Sequence, residues 1–234
     1  MKESEPMTAN RLLDSLPKQE LDALHLERMS VSHGYPFIVP NEPIRYVYFP
    51  IDALGSLVTV LEDGSTVEAG CVGREGMVGI PVILGAETTP MQTVVQIPGD
   101  VWRVDSEVIK REFDKRGALH TILNKYVHTI FVITSQSTAC NRRHSVDARL
   151  ARWLLMSSDC IGSSELAITQ EFLATMLGVR RAGVTEAAAK LQVAELIRYK
   201  RGFVQIVARE GLEDAACECY QTVHREYERL FGPL

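Results

Sequence analysis

Arg180, Arg181, Thr185, Glu186 and Lys190 are the side chains whose types and spacing point most directly to chemistry. Paired arginines at the start of a helix can donate in a fork to guanine O6 and N7, and a hydroxyl or carboxylate one turn on can reach a base edge or a phosphate. That work needs a helix exposed on one face, with its first turn presented to a groove. The flanking residues 168–197, ITQEFLATMLGVRRAGVTEAAAKLQVAELI, have the spacing to build one. Leu173, Leu177, Val179, Val184 and Ala187 can share a small core if two short helices meet at a bend, and Ala174 leaves room for them to cross. Gly178 falls where the first helix must stop, and glycine takes positive φ at little steric cost. Thr169 can cap that helix, and Ile168 before it can staple onto Leu173. The competing reading is an ordinary helical hairpin with a solvated charged face. It accounts for the charges, but not for the agreement between the small-residue, glycine and arginine positions.

The whole chain sets bounds on this reading. At 234 residues it suits one large or two modest domains with a real core. Hydrophobic residues make up 46%, and no run is long and apolar enough to span a bilayer. The first ten residues, MKESEPMTAN, lack the apolar stretch of a signal peptide, so a cytoplasmic location and no membrane partner are expected. A formal charge of −5 does not advertise a nucleic-acid binder, but basic patches can sit on an acidic protein. Arg180 with Arg181, and Arg198 with Lys200 and Arg201, are two such patches. Five cysteines, an odd number, read as free thiols rather than a disulfide framework. Cys217 and Cys219 are too close for an ordinary zinc pair and have no second pair nearby in sequence, which favours structural or surface thiols. Cys140 and His144, one helical turn apart, offer only two ligands, and no metal site is expected.

Three textures follow one another along the chain, and together they predict an α+β protein. Residues 11–29 look like short helices, with Leu21 and Leu24 on an apolar face. From Val31 to Val104 the chain reads as short strands (IRYVYFP, GSLVTVL, STVEAGCV, TVVQIP, DVWRV) between turn signals. Close spacing of such strands suggests an antiparallel jelly roll, a natural holder for a small ligand. After Ser106 the pattern is helical to about Arg142. Leu119, Ile122, Tyr126, Ile130, Ile133, Ser137 and Cys140 form a seam that is expected to pack against a second copy of the chain. The seam lapses at 141–145, a candidate hinge, where Ser145 can cap a helix carrying Leu150, Trp153, Leu154 and Leu155. Residues 198–207, RYKRGFVQIV, read as two strands with a turn at Gly202, and one last helix is expected from about Leu212 to Phe231. The expected domains are 1–117, the roll with its N-terminal helices; 118–144, the dimer helix and hinge; and 145–234, a winged helix-turn-helix.

A β-roll, a long helix and a winged helix in this order resemble the Crp/Fnr family of bacterial transcription regulators. The most specific part is residues 168–197, and CNRRHSVDARLARWLL resembles the family's passage into its DNA-binding domain. The resemblance implies a homodimer that binds a roughly palindromic double-stranded DNA site and recruits or blocks RNA polymerase. It places base contacts at Arg181, Ala182, Thr185 and Glu186. Ala182 stands where better-known members carry an acidic residue, and Glu186 where they carry an arginine. The family's usual operator is therefore not expected. Thr169, Arg180, Lys200 and Arg201 are the phosphate candidates, and Gln170 beside Thr169 joins the DNA-facing set.

The resemblance also points to an effector pocket in a cyclic-nucleotide-binding-like roll, at Gly79, Ile80, Pro81, Pro90 and Met91. Gly79 matches the family's nucleotide cassette, but Ile80 stands where a glutamate holds the ribose, and Pro90 and Met91 fall where an arginine and a small hydroxyl residue belong. A cyclic phosphate buried without a cation would be costly, so neither cyclic AMP nor cyclic GMP is expected. Gly73, Gly76 and Gly79 read as roll turns. No cysteine precedes Cys71 to hold an N-terminal iron–sulfur cluster, and isolated histidines make haem a poor fit. Two other classes bear comparison. One is a ligand-binding or protein-interaction module without DNA binding, which would have no use for Arg180, Arg181 and a basic wing together. The other is a cupin-like enzyme, which would need clustered histidines where the strand region has only His33. No catalytic motif is present, and an enzyme is not expected.

Overall fold

The computed structural model describes residues 7–64, 66–200 and 202–233. The chain divides into two compact units, Met1–Leu57 with Val72–His128, and Val58–Cys71 with Thr129–Leu234.

The first unit opens with α1 (Arg11–Asp14) and α2 (Lys18–Asp22), which bury Leu12, Leu13 and Leu21. Asn10 caps α1, and its amide donates to the carbonyls of Pro50 and Gly76 at 2.9 and 3.0 Å. The helical texture ends before Met29, because Glu27–Val31 forms β1, paired antiparallel with β7 (Gly99–Asp105). Five short residues cannot hold a helix against a full ladder partner, so the pairing overrides the local pattern. Between these two strands come β2 (Pro36–Ile38), β3 (Tyr46–Pro50), β4 (Leu54–Val60), β5 (Thr66–Val72), the short helix α3 (Ile80–Ile83) and β6 (Gln92–Ile97). One sheet has the order β1-β7-β3 and the other β2-β6-β4-β5. The five strands expected from sequence are β3 to β7, each within about two residues. The outer part of the β4–β5 hairpin, Val58–Cys71, belongs to the second unit.

The helical run after Asp105 is two helices. Asp105 caps α4 (Ser106–Asp114) by accepting from Glu107 N at 2.8 Å. The chain then breaks and restarts as α5 (Ala118–Arg143), whose first amides, Ala118 N and Leu119 N, donate to the Glu20 carboxylate at 3.0 and 2.8 Å. A carboxylate there both satisfies orphan donors and opposes the helix dipole. The seam expected to face a second copy is partly covered by the chain itself. Tyr126, Ile133 and Ser137 are buried within the single chain, and Ile122 and Ile130 are half-buried. Gly73 and Gly76 close a turn, Gly76 N donating to Gly73 O at 3.0 Å, and a Cβ at Gly76 would also collide with the Tyr126 ring. The outward face of α5 runs through Asn124, His128, Phe131, Ser135 and Thr138, and Phe131 is 70% exposed.

The second unit continues with α6 (Val146–Ile161), β8 (Glu165–Ala167), α7 (Gln170–Leu177), α8 (Arg181–Val193), β9 (Ile197–Lys200), β10 (Phe203–Ile206), α9 (Arg209–Ala215) and α10 (Glu218–Phe231). Ser145 caps α6 by accepting from Ala148 N at 3.3 Å, and Leu150, Trp153, Leu154 and Leu155 are all buried as their spacing predicts. The Trp153 indole donates to Glu68 Oε1 at 2.8 Å, with both groups buried. The wing is a three-stranded sheet, β8-β10-β9. The expected hairpin is β9 and β10; the third strand is only three residues long, too short to leave a periodic signal. The single C-terminal helix expected from Leu212 is instead α9 and α10, broken at Ala216 and Cys217. Among the described residues no helix is long and apolar enough to cross a membrane.

Candidate nucleic-acid interface

The two helices expected within 168–197 are α7 and α8. Thr169 caps α7 by accepting from Phe172 N at 3.2 Å, with Ile168 and Leu173 both buried as the staple requires. Gly178 ends it in the left-handed region, φ 61°, and the returning chain is fixed by Val179 N donating to Ala174 O at 2.9 Å. The last carbonyl of α7, on Leu177, also accepts from the buried guanidinium of Arg149, which donates to Asn141 Oδ1 at 2.9 Å as well. A cation at a helix C-terminus answers both the orphan carbonyl and the dipole. Burial lowers the proton affinity of Arg149. Sequence reading did not find this support, since nothing in a helical arginine shows which carbonyl it meets.

α8 divides cleanly by period. Val184, Ala187, Ala188 and Leu191 are buried, while Arg181, Ala182, Thr185, Glu186 and Ala189 are exposed. The helix begins after Arg180, which makes no side-chain cap bond, so the first turn is open beside two exposed guanidiniums. Thr185 Oγ1 lies 2.9 Å from Gln170 Oε1 and 3.0 Å from Arg181 O. Gln170 therefore ties the start of α7 to the presented face of α8. Lys190, though exposed, is paired with Asp147 at 2.7 Å, which keeps it protonated and takes it out of the free basic set.

On the wing, Arg198 and Lys200 are exposed. Arg201 lies outside the described residues. Tyr199 anchors the wing to the helix-turn-helix, its hydroxyl donating to Ile168 O at 2.9 Å and its amide to Gln192 Oε1 at 2.9 Å. Thr169, Gln170, Arg180, Arg181, Ala182, Thr185, Glu186 and Lys200 are thus carried by α7, α8, their caps and the wing of one compact unit.

These features agree with what known proteins show. The Crp-like helix-turn-helix domain family matches residues 148–215. This chain carries a Crp-like helix-turn-helix domain. Its fold is Crp/Fnr-like, with antiparallel sheets and a long helix ahead of the domain in sequence. A Crp/Fnr-family transcriptional regulator from Eubacterium rectale matches with a TM-score of 0.66 at 20% identity, over 87% of this chain and 96% of the other. FixK2 from Bradyrhizobium japonicum matches with a TM-score of 0.70 at 14% identity, over 82% and 98%. The c-di-GMP-responsive global regulator CLP of Xanthomonas campestris matches with a TM-score of 0.65 at 15% identity, over 81% and 99%. No curated protein sequence matches the chain.

The effector residues expected in the roll lie in and around α3 and in the segment before β6. Gly79 takes φ 111° against Val47 and starts α3, Ile80 and Pro81 are half-buried within it, and Pro90 and Met91 are exposed. Two clefts are present in this unit. One, of about 340 Å³, includes Arg45, Glu87, Glu107 and Lys110, and the other, of about 210 Å³, includes Phe37, Arg45, Tyr46 and Tyr48. The first also borders Val82, Gly85 and Ala86, which lie between the expected effector positions 79–81 and 90–91.

The cysteines at 71, 140, 160, 217 and 219 are free, as expected, and buried, which leaves the structural rather than the surface alternative for Cys217 and Cys219. They have company as well: Cys140 and His144 stand beside them, with all four ligand atoms within 4.8 Å of one another. Two residues apart inside a helix would face nearly opposite ways, at 100° per residue. Cys217 is instead the extended N-cap of α10 (φ −77°, ψ 161°), and this lets both sulfurs reach one point.

Proposed function

We propose that this protein is a DNA-binding transcription regulator, acting as a homodimer on a roughly palindromic site. The observation that carries the reading is the exposed face of α8 within the Crp-like domain: Arg181, Ala182, Thr185 and Glu186 along it, Arg180 at its head, and an exposed Lys200 on the wing. Arg181 reads a guanine, and Ala182 offers only apolar contact, suited to a thymine methyl. Glu186 accepts from cytosine N4 or orients Arg181. Thr169, Arg180 and Lys200, with Arg201, hold phosphates.

The second copy docks along the outward face of α5, with Phe131 at its centre, and sets the two recognition helices about 34 Å apart, one turn of DNA. The bound dimer contacts RNA polymerase or blocks its access. An effector, where one acts, binds one arrangement of the dimer better than the other. The absence of a cation at Pro90 and Met91 supports an effector other than a cyclic nucleotide, and calorimetry with cyclic AMP and cyclic GMP tests this, tight binding of either overturning it.

The deciding experiment is selection of bound fragments from genomic DNA with the purified protein at two salt concentrations. A palindromic motif recovered at both supports the reading. No enrichment at low salt sinks it.

A further inference from the structure

The cluster at Cys140, His144, Cys217 and Cys219 has no place in DNA recognition, and its geometry is that of a metal site. Cys140 lies in the last turn of α5, His144 between α5 and α6, and Cys217 and Cys219 at the N-cap and second residue of α10. Cys140 Sγ is 3.4 Å from Cys217 Sγ, and Cys219 Sγ is 3.6 Å from His144 Nδ1. Tetrahedral zinc, with bonds of about 2.3 Å to sulfur and about 2.0–2.1 Å to nitrogen, fixes these edges at about 3.8 and 3.6 Å. The widest ligand pair, at no more than 4.8 Å, then has to close by only about 1 Å.

Three further features agree. The imidazole is already oriented, because His144 Nε2 lies 3.2 Å from Glu218 Oε1, leaving Nδ1 to face the sulfurs. A carboxylate on the far nitrogen is the usual outer partner of a metal-bound histidine. The sulfurs are shielded: Cys140, Cys217 and Cys219 are 0%, 7% and 2% exposed, with Ala148 packed against them. The surroundings also favour thiolate, because Cys217 and Cys219 stand at the N-terminus of α10, the positive end of its dipole.

We propose that Cys140, His144, Cys217 and Cys219 bind one zinc ion as a closed Cys3His site. Four protein ligands leave no open position, so the site is structural rather than catalytic. It pins the start of α10 to the end of α5 across 77 residues of sequence. Binding releases the thiol protons to solvent, leaving three thiolates and a neutral imidazole around the ion, and Arg149 and Arg152 offset the remaining negative charge.

The test uses the full chain, purified reduced and without a metal-affinity column. Elemental analysis is expected to find one zinc per chain. After chelation, added cobalt(II) is expected to give the visible bands of a tetrahedral ion and the ultraviolet charge-transfer band of thiolate ligation, and zinc should bleach both. Cys140→Ser and Cys219→Ser should each lose the charge-transfer intensity of one thiolate. Glu218→Gln, at an exposed side chain, should keep the spectrum and weaken zinc binding by about 10–100-fold. The wild-type cobalt spectrum decides the matter even if the cysteine variants fail to fold. Folded, reduced protein that holds no zinc and gives no thiolate–cobalt band overturns the proposal. So does a cobalt spectrum untouched by Cys140→Ser, or a Cys140–Cys217 disulfide protein that takes up no metal once reduced.

Discussion

In the proposed complex, Arg181 is the residue on which base choice most depends. It is exposed in the first turn of α8, and its neighbours on that face, Ala182 and Glu186, cannot substitute for its paired donors. Arg181→Ala should cost about 1–3 kcal/mol of discrimination at one base position of each half-site while leaving weak non-specific binding in place. Binding-site selection with the variant measures this. An unchanged motif and unchanged affinity would show that another side chain reads the DNA. Thr185 is a subtler case, because its hydroxyl is already engaged by Gln170 and by the Arg181 carbonyl. Its role in aligning the two helices is at least as direct as any contact to a base.

At the scale of elements, two glycines of the helix-turn-helix should respond oppositely to alanine. Gly178 holds φ 61° with open space around its missing Cβ, so Gly178→Ala meets no clash but forces a left-handed alanine, costing about 1–2 kcal/mol. Gly183 lies in the first turn of α8 with negative φ and equally open space, so Gly183→Ala should stabilise by up to about 1 kcal/mol. Urea unfolding midpoints of the two variants check both signs. Gly178 was legible from the sequence because stopping a helix and starting another at a bend is a local problem. The α8 stripe was legible because period 3.6 is local too. The α5 seam was legible as a seam but not as to what covers it: burial of Tyr126, Ile133 and Ser137 depends on residues distant in sequence. The Cys140–His144–Cys217–Cys219 cluster was hidden for two reasons. Its halves lie 77 residues apart, and the break at Ala216 that turns Cys217 into a helix cap interrupts what reads as one continuous amphipathic run.

For the whole molecule, the net charge of −5 means that affinity for DNA has to come from a local basic face, and its salt dependence counts the phosphates held there. Each phosphate neutralised contributes about −0.9 to the slope of log K against log salt on duplex DNA. A substitution at one phosphate contact removes one such term from a monomer but two from a homodimer. Lys200→Gln, on the exposed wing, should therefore flatten the slope by about 1.8 if two copies bind and by about 0.9 if one does. Phe131→Lys provides the control. The side chain is 70% exposed on α5, so the change should leave the fold intact while placing like charges opposite each other at the proposed dimer face. Sedimentation should show this variant as a monomer, and its DNA slope should then lose only about 0.9 on adding Lys200→Gln. If Phe131→Lys remains dimeric, the second copy docks elsewhere. If Lys200→Gln leaves the slope unchanged, the wing does not touch the DNA backbone.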